Sequence, residues 1–260
     1  MLSRYGLRFA ALGYLTLLLV LPVAMVFRRA FENGVGAAWD AVTTPEAKHA
    51  FLTTIVIALI AVPANTIFGI ACAIAIVRHR FPGKGVVNAI VDLPLALSPI
   101  VVGLSFLLLF GTGGWFAGVP FEVLFALPAM VLATIFVSLP FVVREVVPVL
   151  VHVGVDQEQA AYTMGASPLR TFRTITLPNI RWGLLYGVSL TFARALGEFG
   201  AVLVVSGSVS RWTETSTLFI FRALDDRNEV GAYAMALALA AASFGLLLGM
   251  EYFKKHNRED

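Results

Sequence analysis

Arg194 and Glu198 stand four residues apart in a run that is otherwise almost wholly apolar. On a helix that spacing places both on one face, where they can pair. An arginine at the centre of a spanning helix costs about 2.5–3.5 kcal/mol on insertion scales, so it must face protein or water. Two roles are open to such a pair. Locked together, it would fix helix packing. Beside a water-filled route it would draw in an anion, with Glu198 tempering the attraction enough for the ion to leave. Ser206, Gly207, Ser208 and Ser210 follow at the far end of the same run. Their hydroxyls and backbone N–H groups could solvate an anion, meet another protein, or form a plain polar loop.

A second stretch carries polar chemistry of another kind. Residues 156–182, DQEQAAYTMGASPLRTFRTITLPNIRW, form a polar island between long apolar runs. Residues 156–164 favour helix, with acidic groups near the start that suit the macrodipole. Gly165 then permits a sharp turn, because it tolerates positive φ. After Ser167-Pro168 the pattern predicts a second short helix over 169–174, with Leu169, Phe172 and Ile175 near one face. Leu177-Pro178 is expected to end it, since proline cannot continue the hydrogen-bond ladder. On residues alone, this unit is either a docking surface or an amphipathic loop whose Arg170 and Arg173 meet lipid headgroups.

Other chemistries find little support. Pro82-Gly83-Lys84-Gly85 lacks the upstream glycine and the following Ser/Thr of a phosphate-cradling loop. The glycines of 111–114 read as a turn. Cys72 is the single cysteine, and His49, His79, His152 and His256 show no ligand spacing, so no metal site and no cofactor is expected in this chain. No nucleophile–base set suggests an enzyme, and no basic stripe suggests nucleic acid. ATP-driven work would need its hydrolysis, with ATP and Mg²⁺, on another polypeptide.

The elements that must hold these groups are membrane spans. Of 260 residues, 58% are hydrophobic and only 13% charged, and the mean hydropathy is +0.84. Soluble domains carry roughly 25% charged residues. The apolar runs are continuous, which excludes an alternating β-barrel. The fold class expected is an all-α membrane protein with six spans, near residues 7–27, 50–77, 86–110, 121–143, 183–205 and 230–252. Pro63, Pro94, Pro99, Pro128 and Pro140 interrupt these runs, which membrane helices tolerate. The organisation expected is an N-terminal helix and external loop (1–49), a core (50–252) with a polar loop at 144–182, and a tail (253–260).

Lysine and arginine in loops set orientation. With both termini inside, the cytoplasmic segments hold twelve, namely Arg4, Arg8, Arg78, Arg80, Lys84, Arg144, Arg170, Arg173, Arg181, Lys254, Lys255 and Arg258. The external segments hold six, Arg28, Arg29, Lys48, Arg211, Arg222 and Arg227. Both termini are therefore expected in the cytoplasm, with Asp92 and Glu122 near the interfaces. The first apolar run exceeds the 7–15 residues of a signal-peptide core and precedes no A-x-A site, so a retained helix is expected.

The island also resembles the "EAA" docking loop of permease subunits in type I ABC importers. Gly165, Leu177 and Pro178 match that motif, as do Ala160 and Ala161. Aligned on Gly165, the family glutamate falls on Gln159, with Glu158 adjacent. The resemblance thus carries no ion pair to this position, though an amide can still hydrogen-bond. Three further segments, PFVVREVVPVL (140–150), LPNIRWGLLYGV (177–188) and ARALGEFGAVLVVSGS (193–208), resemble the sulfate/thiosulfate permease family of the CysW type. The Arg-Ala-x-Gly-Glu-Phe-Gly portion is shared with molybdate permeases; LPNIRW and VVSGS favour the sulfate branch. The likeness spans residues 99–231, about half of the chain.

The resemblance implies a non-catalytic transmembrane subunit in the cytoplasmic membrane. It would pair with a second permease subunit, dock an ATPase homodimer, and receive sulfate or thiosulfate from an extracytoplasmic binding protein. Gln159, Ala160, Ala161, Gly165, Leu169, Arg170, Phe172, Arg173, Leu177 and Pro178 would form the docking surface. Arg194, Glu198, Ser206 and Ser208 would lie along the route of the oxyanion. The rival readings are a molybdate or tungstate permease and, in another class, a stand-alone ion-coupled transporter.

Overall fold

The computed structural model describes residues 4–118 and 122–256, which fold as helices joined by short turns. Helix α1 (Arg4–Leu15) passes through a wide π turn, Thr16–Val20, into α2 (Leu21–Ala30). A short α3 (Gly34–Thr43) leads to the long α4 (Pro45–Arg78). Then come α5 (Lys84–Ala96), α6 (Pro99–Phe110) and α7 (Leu127–Val153). The polar island contributes α8 (Asp156–Thr163) and α9 (Pro168–Thr171), followed by a second π turn and α10 (Leu177–Leu196). Helices α11 (Gly200–Val205), α12 (Ser216–Asp225) and α13 (Glu229–His256) complete the order.

The centre is a trio of long helices. Helix α4 lies along α7, and α10 packs on both. Lipid tails are as apolar as leucine, so close packing and polar contacts must hold such helices together. The residues used fit that demand. Helix α4 buries Ala47, Ala50, Ala58, Ala61, Gly69 and Ala73, while many large apolar side chains on the outer helices stay exposed. At Gly183 of α10, an added Cβ would lie 2.7 Å from Val149 Cγ2 and 2.9 Å from the Glu145 carbonyl. Only glycine allows α10 and α7 to approach so closely. Asn65 of α4, fully buried, donates to the Ile135 carbonyl at 3.0 Å and to Ser138 Oγ at 2.8 Å.

Among the described residues, four helical stretches are long and apolar enough to cross a membrane by length and composition: Arg8–Ala30, Pro45–Arg78, Leu127–Val153 and Glu229–Tyr252. A fifth is formed if α5 and α6 count as one span. Several expected boundaries need correction. The run at 86–110 is not one straight span: α5 and α6 meet at 112°. Pro99 drives Ser98 to an extended backbone, and Leu97 follows, so the helix breaks there. The run at 183–205 breaks too, between Leu196 and Gly200. The expected fourth-span start at residue 121 lies outside the described residues. Helix α7 itself begins at Leu127 and continues past 143 to Val153, so the polar loop opens at Gly154 rather than at 144. Arg144, counted above as a loop charge, therefore sits inside a helix. Of the expected tail, residues 257–260 lie outside the described residues.

Both breaks lie side by side. Gly200 packs against Pro99 and Ile100, and Gly103 of α6 against Ala201 and Val204 of α11. Around this crossing, Val102, Met130, Val137, Val202, Val205 and Leu218 form a buried cluster.

Candidate functional site

The polar island folds largely as its residues suggest. Asp156 and Glu158 occupy the first turn of α8. The helix closes with paired turn bonds, Gly165 N to the Tyr162 carbonyl and Ala166 N to the Ala161 carbonyl, each 3.0 Å. Gly165 sits at φ +83°, which makes this reversal cheap. Ser167 then caps α9 weakly, its hydroxyl accepting from Arg170 N at 3.4 Å.

One expectation fails here. Leu177-Pro178 does not end the second helix; it begins α10 without a stop. The π turn Phe172–Thr176 makes this possible, with Leu177 N bonded back to the Phe172 carbonyl. A wider turn relieves the clash between the Pro178 ring and the carbonyl four residues earlier. The island is thus continuous with a long helix at the heart of the bundle.

Its outer face is open. Gln159, Ala160, Gly165, Leu169, Arg170, Arg173 and Pro178 are exposed; Phe172 and Leu177 are half-buried; only Ala161 is buried. Met164 at 81% and Leu169 at 58% exposure are large apolar side chains at the tip of a polar segment. That combination suits a protein surface better than water.

The inner face is anchored by residues the motif did not single out. Glu158, next to the exposed Gln159, turns inward to Arg78 at the end of α4, Oε2 to Nε 2.9 Å. Arg78 also donates to the carbonyls of Leu150 and Gly154, at 3.1 and 2.6 Å. Thr176 donates to Glu158 Oε1 at 2.8 Å, and Asn179 to Gln157 Oε1 at 2.8 Å. Arg78 and Glu158 are separated by 80 residues, so no local pattern could have paired them.

At the second site, Arg194 Nη1 lies 2.8 Å from Glu198 Oε2, an ion pair at the expected spacing. Glu198 is 3% exposed. Its other oxygen accepts from Ala201 N at 2.9 Å, capping α11, and Thr217 donates to its backbone carbonyl at 2.7 Å. The Arg194 side chain keeps 30% exposure. Charge is therefore fixed on the Glu198 side and presented on the Arg194 side. Ser206 is fully buried, and its hydroxyl accepts from Ser208 N at 3.1 Å; it shapes the turn rather than facing solvent. Ser208 is exposed, at φ +51°.

Two further pairs were not foreseen. Arg144 of α7 binds Asp92 of α5 through both carboxylate oxygens, Nε to Oδ1 at 2.6 Å, with each side chain more than a third exposed. A charged pair with such exposure, between two helices of the bundle, points to protein or water rather than lipid. Glu214, 1% exposed, takes two bonds from Arg222 at 2.6 and 3.1 Å. The hydrogen bond to Glu214 raises the Arg222 pKa above its ordinary value.

Comparison with known proteins adds the lineage. The sulfate transport system permease protein CysW of Synechocystis is 46% identical over 241 residues, 91% of this chain and 87% of that protein. The protein of the same description from Escherichia coli K12 is 44% identical over 248 residues, covering 93% and 85%. Among solved structures, a chain of a bacterial ABC transporter that imports the acidic polysaccharide alginate superposes with a TM-score of 0.81 at 15% identity, covering 97% of this chain and 94% of that one. The same kind of transporter in complex with its alginate pentasaccharide-bound periplasmic protein gives 0.80. At that identity the likeness speaks for the fold, a type I ABC importer transmembrane domain. The family model described as binding-protein-dependent transport system inner membrane component matches residues 65–259, three quarters of the chain, and to that family this chain belongs.

Proposed function

We propose that this chain is the membrane-spanning subunit of an ATP-driven sulfate importer, with thiosulfate as a second substrate. The observation that carries this reading is the 44–46% identity, over more than nine tenths of the chain, to sulfate transport permeases. The exposed tip of α8 and α9, continuous with α10, is what such a subunit would offer to a motor. Gln159, Ala160, Gly165, Leu169, Arg170, Phe172 and Arg173 form the docking face for an ATPase homodimer on the cytoplasmic side, with both termini on that side. A second permease subunit completes the route, and a periplasmic sulfate-binding protein delivers the anion. ATP and Mg²⁺ act on the partner, and this chain performs no hydrolysis.

Closure of the ATPases would push the two docking segments together and switch the cavity from inward-facing to outward-facing. Arg194 then offers sulfate a transient positive contact, weakened by Glu198 so that the ion can leave. High affinity resides in the binding protein. Purification in mild detergent followed by mass spectrometry should recover the ATPase and the second permease. Proteoliposomes holding the full complex should take up sulfate in competition with thiosulfate but not with molybdate. Uptake by vesicles containing this chain alone would overturn the proposal in favour of an ion-coupled carrier.

A further inference from the structure

Helix α8 lies between two glycines at positive φ, Gly154 at +73° and Gly165 at +83°. Joined to the bundle by these turns alone, an eight-residue helix would be a flap. A push on its outer face would then move α8 and little else. What ties it inward, besides the exposed Asn179–Gln157 hydrogen bond to α10, is one guanidinium. Helix α4 delivers Arg78 to the end of α7, where the last carbonyls of a helix lack partners within it and carry its negative pole. Arg78 satisfies the Leu150 and Gly154 carbonyls and takes Glu158 in the same reach. The side chains of Arg78 and Glu158 are 11% and 14% exposed, so water screens them little. Thr176, in the π turn that opens α10, donates to the same carboxylate. Four segments meet at this point: the ends of α4 and α7, the start of α8, and the turn into α10.

We propose that the Arg78–Glu158 pair is the pin that makes the docking segment one rigid body with α4 and α7, so that displacement of the segment reaches all three central helices. Glu158 is a positioning residue here: it faces inward and leaves the docking face to its neighbours. An acid beside Gln159 is thus kept for an internal task, while the amide at 159 remains outside. This inference rests on the importer reading and adds the path by which motion enters the bundle.

The test uses the complete complex with its ATPase, second permease and binding protein in proteoliposomes. Glu158→Ala should leave ATPase co-purification and basal ATP hydrolysis at wild-type levels. The number of sulfate ions moved per ATP should fall at least fivefold. Amide exchange across residues 156–163 should accelerate at least tenfold. Glu158→Gln keeps an acceptor for Thr176 and should show a smaller loss in the same ratio, and Arg78→Lys, whose single ammonium cannot span the Leu150 and Gly154 carbonyls and Glu158 as the guanidinium fork does, should resemble Glu158→Ala. Wild-type stoichiometry in both Glu158→Ala and Arg78→Lys would overturn the pin. So would loss of ATPase binding in step with transport, which would place Glu158 in docking, or failure of all three variants to assemble, which would make the pair purely structural. If the wild-type complex itself moves no sulfate, the importer reading fails instead.

Discussion

The Arg194–Glu198 pair can be dissected by a double-mutant cycle, because its two members sit in unequal surroundings. Glu198 is 3% exposed and keeps one hydrogen bond, from Ala201 N, when Arg194 is removed. Removing one partner of a buried pair destabilises by about 3–5 kcal/mol. Since Arg194 retains 30% exposure, the lower end applies, and Arg194→Gln should cost about 3 kcal/mol. Glu198→Gln keeps an oxygen for the α11 cap and leaves a cation that reaches solvent, so about 1–2 kcal/mol is expected. The double variant buries no lone charge and should cost no more than about 2 kcal/mol. The coupling is therefore about 2–3 kcal/mol, at the upper end of the range for contacting residues. Unfolding midpoints of the complex in nanodiscs give the ranking: Arg194→Gln lowest, with the double variant recovering a large part of the loss. Sulfate uptake is then measured in the double variant, where assembly no longer confounds it, and should be at least tenfold below wild type. Additive single effects would refute the energetic pairing. Wild-type uptake in an assembled double variant would refute a place for Arg194 on the anion route.

Other outcomes follow from the packing and the remaining charges. Gly183→Ala should destabilise by about 1–3 kcal/mol, because its Cβ meets a backbone carbonyl that cannot turn aside. Gly245→Ala in α13, with open space around it, should be neutral or stabilise by up to about 1 kcal/mol in the same thermal assay. Asp92→Asn should lower the yield of folded chain by leaving Arg144 without its carboxylate, and Asp92→Asn with Arg144→Gln should restore it, as read by size-exclusion chromatography. Pairing raises the Arg222 pKa, so its contribution is complete below the ordinary arginine value and lost only in stronger base. Glu214→Gln should accordingly lower the thermal midpoint equally at pH 6 and pH 9; a penalty confined to one pH would contradict that sign.

The polar island was legible because its signals are local. Acids at a helix start, Gly165 at a reversal and Ser167-Pro168 at a restart act within a few residues, and each reappears in the fold. The Arg194–Glu198 pair was legible for the same reason, being a single helical turn. Proline was harder to weigh. Pro63, Pro140 and Pro148 lie inside continuous helices, whereas Pro99 breaks one, and Pro178 is absorbed by a widened turn. Tertiary packing decides among those outcomes. Arg78–Glu158, Asp92–Arg144 and Thr54–Ser216 join segments 80, 52 and 162 residues apart, where periodicity carries no information. Counting Arg144 as a loop charge failed for a related reason: hydropathy dips where a helix carries a charged pair, and a dip resembles an end.

The crossing of the two broken spans has a consequence for biosynthesis. Pro99 and Ile100 rest on Gly200, a neighbour that leaves the ribosome roughly 100 residues later, so at about 5–20 residues per second the bend at Leu97–Ser98 waits some 5–20 s for its support. The Leu97 amide bonds the Leu93 carbonyl and the Ser98 carbonyl accepts from Val102 N, but any backbone group the break leaves without a partner would cost several kcal/mol in hydrocarbon. The bent pair α5–α6 and the broken pair α10–α11 can therefore reach their final packing only together, once the second break is laid against the first.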